Sequence, residues 1–102
     1  MNIQKLAHIE VCEFLVAGRI DGDGAHELEV QILAAVREGQ KRILINLAET
    51  TFLCSAALRV ILQHHRQLKA KGGSLLVSRT SPEADAILEL TGFREQIVEN
   101  SH

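Results

Sequence analysis

The sequence predicts an α/β fold, a mixed β-sheet with parallel segments covered by α-helices, in the element order β-β-α-β-α-β-α-β. Three observations carry that reading. Short apolar runs alternate with longer stretches of helical period along the chain. Glycines fall at the joints, at Gly39, Gly72-Gly73 and Gly92. The composition, 46% hydrophobic and 24% charged over 102 residues, is that of a folded chain rather than a disordered one. This length predicts one domain, residues 1–102, large enough to bury a core without disulfides or metals.

The elements follow in order. Residues 2–6, with Ile3 and Leu6 apolar, begin a hairpin whose second strand covers 9–17. There Val11, Leu15 and Ala17 share one face and Cys12, Phe14 and Val16 the other, so the segment reads as a central strand buried on both faces. Gly18-Arg19-Ile20-Asp21-Gly22-Asp23-Gly24 then breaks the pattern. A helix is predicted over 25–38, with Asp23 as its N-cap and Gly39 closing it. Residues 42–47 form a short apolar run, a buried strand. A loop over 48–54 leads into a second helix over 55–71, whose buried stripe is Leu58, Ile61, Leu62, His65 and Leu68. Lys69 and Lys71 suit the negative end of its dipole. Residues 74–78 read as another strand. Ser81-Pro82-Glu83 then marks a helix start with a capping serine and a proline at the first position. That helix carries Ala84, Ile87 and Leu88 and ends near Thr91-Gly92; residues 96–99 are expected to supply a last short strand.

Several functions are disfavoured. A net charge of −2, no Trp or Tyr and only three Phe argue against nucleic-acid binding. No apolar run approaches the ~18 residues of a membrane span. The start of the chain lacks the pattern of a signal peptide, so the cytoplasm is the expected compartment. Cys12 and Cys54 form no metal pattern and are expected to be free thiols. Gly22 and Gly24 superficially suggest a dinucleotide turn, but Glu27 stands where the third glycine belongs. No cofactor and no metal site are expected. His64 and His65 are adjacent on a helix and point about 100° apart, one expected over the core and the other in solvent.

Two places retain alternatives. Asp21 and Asp23 form either a capped turn or a contact site at a loop tip. Ser55 sits at, or within a residue of, the N-cap of the second helix. It is either a plain cap or a hydroxyl presented at the positive end of a helix, where backbone N–H groups and the dipole would receive a phosphate. Ala56 and Ala57 are small and would leave that end open to a partner. Cys54 is either a buried apolar side chain or a thiol activated by the helix start.

Taken together, Gly18-Arg19-Ile20-Asp21, Ile45-Asn46-Leu47, Phe52-Leu53-Cys54-Ser55, Gly72-Gly73 and Leu90-Thr91-Gly92-Phe93, in this order and spacing, resemble a STAS domain. More narrowly, the chain is similar to the stand-alone anti-sigma-factor antagonists of bacterial partner-switching systems. The resemblance covers essentially the whole chain and implies the STAS fold and a regulatory binding protein rather than an enzyme. It implies phosphorylation of Ser55 by an anti-sigma factor that is also a serine protein kinase of the histidine-kinase-like ATPase fold. A PP2C-type phosphatase would reverse it. It also implies a partner-binding face formed by Asp21, Cys54, Ser55, Ala56, Ala57 and Arg59. The family motif around the acceptor reads Asp-Ser-Ser/Thr-Gly; here Cys54, Ala56 and Ala57 replace the acid, the second hydroxyl and the glycine. An alternative within the family is a STAS interaction subunit of a transporter or signalling complex that is never phosphorylated. Another class altogether would be a small thiol enzyme using Cys54.

Overall fold

In the computed structural model, which describes residues 1–99, the chain runs β1 (Asn2–His8), β2 (Val11–Ile20), α1 (Gly22–Arg37), β3 (Arg42–Leu47), β4 (Thr50–Leu53), α2 (Ser55–Ala70), β5 (Ser74–Thr80), α3 (Pro82–Thr91) and α4 (Arg94–Ile97). The sheet order is β1-β2-β3-β5, and β4 pairs with β2 off this path. β1 and β2 form the expected antiparallel hairpin through a two-residue turn in which Glu10 adopts φ 64. The pairings of β2 with β3, β2 with β4 and β3 with β5 are parallel. The mixed α/β architecture is the predicted one.

The core lies on one face of the sheet. Cys12, Phe14 and Val16 of β2, Ile43, Ile45 and Leu47 of β3, and Leu75 and Val77 of β5 are buried there. Leu28 and Ile32 of α1, Ile61 and Leu68 of α2, and Leu88 of α3 close over them. Full burial of each such side chain is worth about 1.5–3 kcal/mol. The other face of β2, with Val11, Glu13, Leu15 and Ala17, is only half-buried. β2 is therefore central in pairing, but it is not enclosed on both faces as its apolar pattern suggested.

Further expectations change. The glycine-rich run does not break β2: the strand continues through Gly18, Arg19 and Ile20, with a register shift at Gly18/Arg19, because β4 pairs with it there. β4 itself falls inside the predicted 48–54 loop. Helix α1 consequently begins three residues early, with Asp21 rather than Asp23 as N-cap; its carboxylate accepts from the Gly24 N–H at 2.9 Å. The predicted last strand is instead the single turn α4, followed by one bridge between Val77 and Val98.

The last change concerns the histidines, both of which are buried. α2 is covered on two sides, so side chains 100° apart both find the interior. His64 Nε2 donates to Glu29 Oε2 of α1 at 3.0 Å, and His65 Nδ1 donates to the Leu75 carbonyl of β5 at 2.9 Å. The other joints behave as expected. Ser81 caps α3, and Gly92 takes the left-handed conformation at its end. Gly73 has a packing reason as well, since a Cβ there would collide with the Lys41 carbonyl oxygen.

Candidate functional site

The site is built by the pairing of β2 with β4. Ile20 and Leu53 are register partners, and the Cys54 N–H donates to the Ile20 carbonyl at 3.0 Å. The next residue on each strand starts a helix: Asp21 caps α1 and Cys54 caps α2. Neighbouring strands lie about 4.8 Å apart, so the two helix starts emerge side by side. Thr50 and Ser81 hold this end together. The Thr50 hydroxyl donates to the Val16 carbonyl at 2.7 Å, and the Ser81 hydroxyl donates to the Thr50 carbonyl. Arg19 stacks over the Phe52 ring across the same pair, 4.1 Å from its centre.

The start of α2 is unlike the other two long helix starts. Its cap, Cys54, makes no side-chain cap bond, and its first turn contains no acid. Ser55, the first helical residue, is exposed. The first N–H groups of α2 thus have no capping side chain. These donors and the positive end of the dipole lie at the helix start that carries the exposed Ser55.

Of the predicted site residues, Asp21, Ser55 and Arg59 are exposed and Cys54 and Ala56 half-buried, all around the two helix starts. Ala57 is the exception. It points into the core and is completely buried, because its position faces inward on α2, so its methyl adds nothing to the surface. Arg59 borders two grooves. One, of about 280 Å³, lies between α1 and α2 and reaches from Gly22, His26 and Glu29 to Ala56. The other, of about 440 Å³, runs from Ser55 along α2 over Leu58 and Leu62 to Arg66 and Phe93. Arg66 and Phe93 escaped the sequence reading. Helical spacing from Ser55 could have found Arg66, seven residues beyond Arg59. Phe93, noted in the sequence only as part of the resemblance, arrives in the groove from the start of α4.

The thiols occupy different settings. Cys12 is buried in the core, and burial is the main cause that raises its pKa, away from a reactive thiolate. Cys54 is half-buried. Among the described residues no group of three or more His, Cys, Asp or Glu could hold a metal, and no helix is long and apolar enough to cross a membrane. A separate polar cluster lies on the half-buried sheet face. Glu13 accepts from Asn46 Nδ2 at 3.0 Å and lies 3.0 Å from His8 Nε2. Burial alone would raise the Glu13 pKa; the hydrogen bonds from Asn46 and His8, with the charges of His8 and Arg79, outweigh it and hold the carboxyl below its ordinary value.

Comparison with known proteins gives a consistent answer. The family model of the STAS domain matches residues 2–102. A Bordetella bronchiseptica protein named as an anti-sigma factor antagonist, BtrV, is 30% identical over 76 residues, which are 74% of this chain and 66% of that protein. Among solved structures, an anti-sigma factor antagonist from Mycobacterium paratuberculosis superposes with a TM-score of 0.82 at 26% identity, over 94% of this chain and 81% of that one. The anti-sigma factor antagonist SpoIIAA in its unphosphorylated form superposes with a TM-score of 0.77 at 18% identity, over 99% and 90% of the two chains. Its phosphorylated form, from Bacillus, gives 0.75.

Proposed function

The chain belongs to the STAS domain family, and from that premise we propose that it is an anti-sigma factor antagonist working as a reversible partner switch. It is a regulatory binding protein, not an enzyme, in which residues 1–102 act as a single domain in the cytoplasm. In the unphosphorylated state its face around Asp21, Cys54, Ser55, Ala56 and Arg59 binds an anti-sigma factor and so frees the sigma factor. That partner is also a serine kinase of the histidine-kinase-like ATPase fold. It phosphorylates Ser55, and a PP2C-type phosphatase restores the active form.

One observation supports this reading above the rest: among the described residues, the exposed Ser55 stands at the start of the one long helix that has neither a capping bond nor an acid in its first turn. A phosphate there carries close to two negative charges at pH 7 and meets free N–H groups and the helix dipole, so it does not unfold α2. It does add that negative charge to the surface beside Asp21. The loss of the second hydroxyl of the family motif at Ala56 leaves Ser55 as the acceptor within it.

The test is the intact mass of the protein purified from its own host, with the modified residue mapped by fragmentation, together with binding of the host's anti-sigma factor. A phosphate on Ser55 is expected. Ser55→Ala is expected to bind like the wild type, and Ser55→Asp to bind at least tenfold more weakly. An unmodified Ser55 under growth and stress, with equal binding by both variants, would leave the protein as a constitutive STAS interaction subunit.

A further inference from the structure

We propose that the groove along α2, floored by Leu58, Leu62 and Phe93 and flanked by Arg59 and Arg66, is the seat of an acidic amphipathic segment of the partner. The proposal rests on the partner-switch reading and specifies what the partner must present to this chain.

Two independent features of the groove define the occupant. The first is its floor. Leu58 and Leu62 are one turn apart on α2, and Phe93 reaches the same depression from the start of α4. This apolar strip leads away from Ser55, so a segment laid on it continues from the helix start without a break. Apolar side chains at i and i+4 of a helix would fill such a strip.

The second is the charge of its rim. Arg59 and Arg66 are both exposed and form no ion pair among the described residues. Spaced seven residues apart, they lie on one face of α2, about 10.5 Å apart along its axis. Among the described residues, no carboxylate lines the groove. The contrast with Arg94 is direct: that guanidinium is already engaged by Asp85 at 2.6 Å and has Glu89 and Glu95 nearby. Two unengaged guanidinium groups two turns apart fit carboxylates two turns apart on the partner, each able to accept a forked pair of hydrogen bonds. A basic segment would meet like charges at both ends of the groove.

The arrangement also couples the groove to modification. Helical side chains lean toward the N-terminus of their helix, and Arg59 is four residues after Ser55. A phosphate on Ser55 therefore competes with the partner's carboxylate for Arg59, while Arg66, another two turns on, stays outside its reach.

The experiment measures binding of the host's purified anti-sigma factor by calorimetry at two salt concentrations. Wild type, Ser55→Asp, Arg66→Glu, Arg66→Lys and the control Arg37→Glu, at the far end of α1, are compared. Because Arg66 and Arg37 are exposed, unchanged circular dichroism and melting are expected for all of them. The proposal predicts at least tenfold weaker binding and a shallower salt dependence for Arg66→Glu, a smaller loss for Arg66→Lys, and none for Arg37→Glu. If Ser55→Asp weakens binding but Arg66→Glu does not, the groove is overturned and the switch stands. The reverse pattern keeps the groove and overturns the switch. Wild type that does not bind overturns both.

Discussion

Two kinds of helix start sit at the same end of this molecule. α1 and α3 begin with a carboxylate or hydroxyl on a backbone N–H: Asp21 on Gly24 at 2.9 Å and Ser81 on Ala84 at 3.0 Å. Both have acids in the first turn, Asp23 in α1 and Glu83 and Asp85 in α3. α2 has neither. The fold therefore leaves free donors and an unopposed dipole at the start of α2. Stability arguments alone would favour an acid or a hydroxyl at position 54, and a thiol stands there instead. The start of α2 is thus the end that a phosphate or a partner can complete, whereas the other two are already satisfied.

The largest effect is expected at the start of α3. Ser81→Ala removes the cap and the donor to the buried Thr50 carbonyl together. A loss of about 2–3 kcal/mol is expected in urea unfolding, since one buried group loses its donor as well as a helix losing its cap. A loss below about 1 kcal/mol would mean that the Ser81 hydroxyl holds nothing but the cap. Next come the two adjacent starts. Asp21→Ala is expected to cost about 1 kcal/mol, while Cys54→Ala changes stability by less than about 0.5 kcal/mol and Cys54→Asp raises it by about 1 kcal/mol. Equal losses for Asp21→Ala and Cys54→Ala would erase the contrast between the helix starts.

The smallest effect lies away from both, at Glu13. Its folded pKa is below the unfolded one, so its stabilising contribution is present above about pH 4.3 and fades as pH falls through the lower folded value. Glu13→Gln is therefore expected to remove less than about 1 kcal/mol at pH 7 and to make the acid limb of the stability curve shallower. An unaltered limb would show that the His8 and Asn46 contacts do not outweigh burial there.

The legibility of the molecule follows the range of the forces involved. The strand of 42–47, the cap at Ser81 with Pro82 and the stripe of α2 were readable because each is set by residues within one or two turns. Ser55 was legible to within a residue for the same reason. β4 was not. Thr50–Leu53 is too short to carry a periodicity of its own and is a strand because β2 continues beside it. That missed pairing also displaced the cap of α1 from Asp23 to Asp21. His64 was misplaced in solvent because Glu29, which makes its burial tolerable, lies 35 residues earlier on another helix.

Local periodicity and capping chemistry were enough to read the alternation of strands and helices, the main apolar stripe of α2 and the hydroxyl at its head. Packing between distant segments sets the starts of α1 and α2 side by side, buries Ala57 and brings Phe93 into a groove with Arg59 and Arg66. Those are contacts between segments distant in the chain, and they form when parallel strand pairing and burial of the shared core bring the segments together.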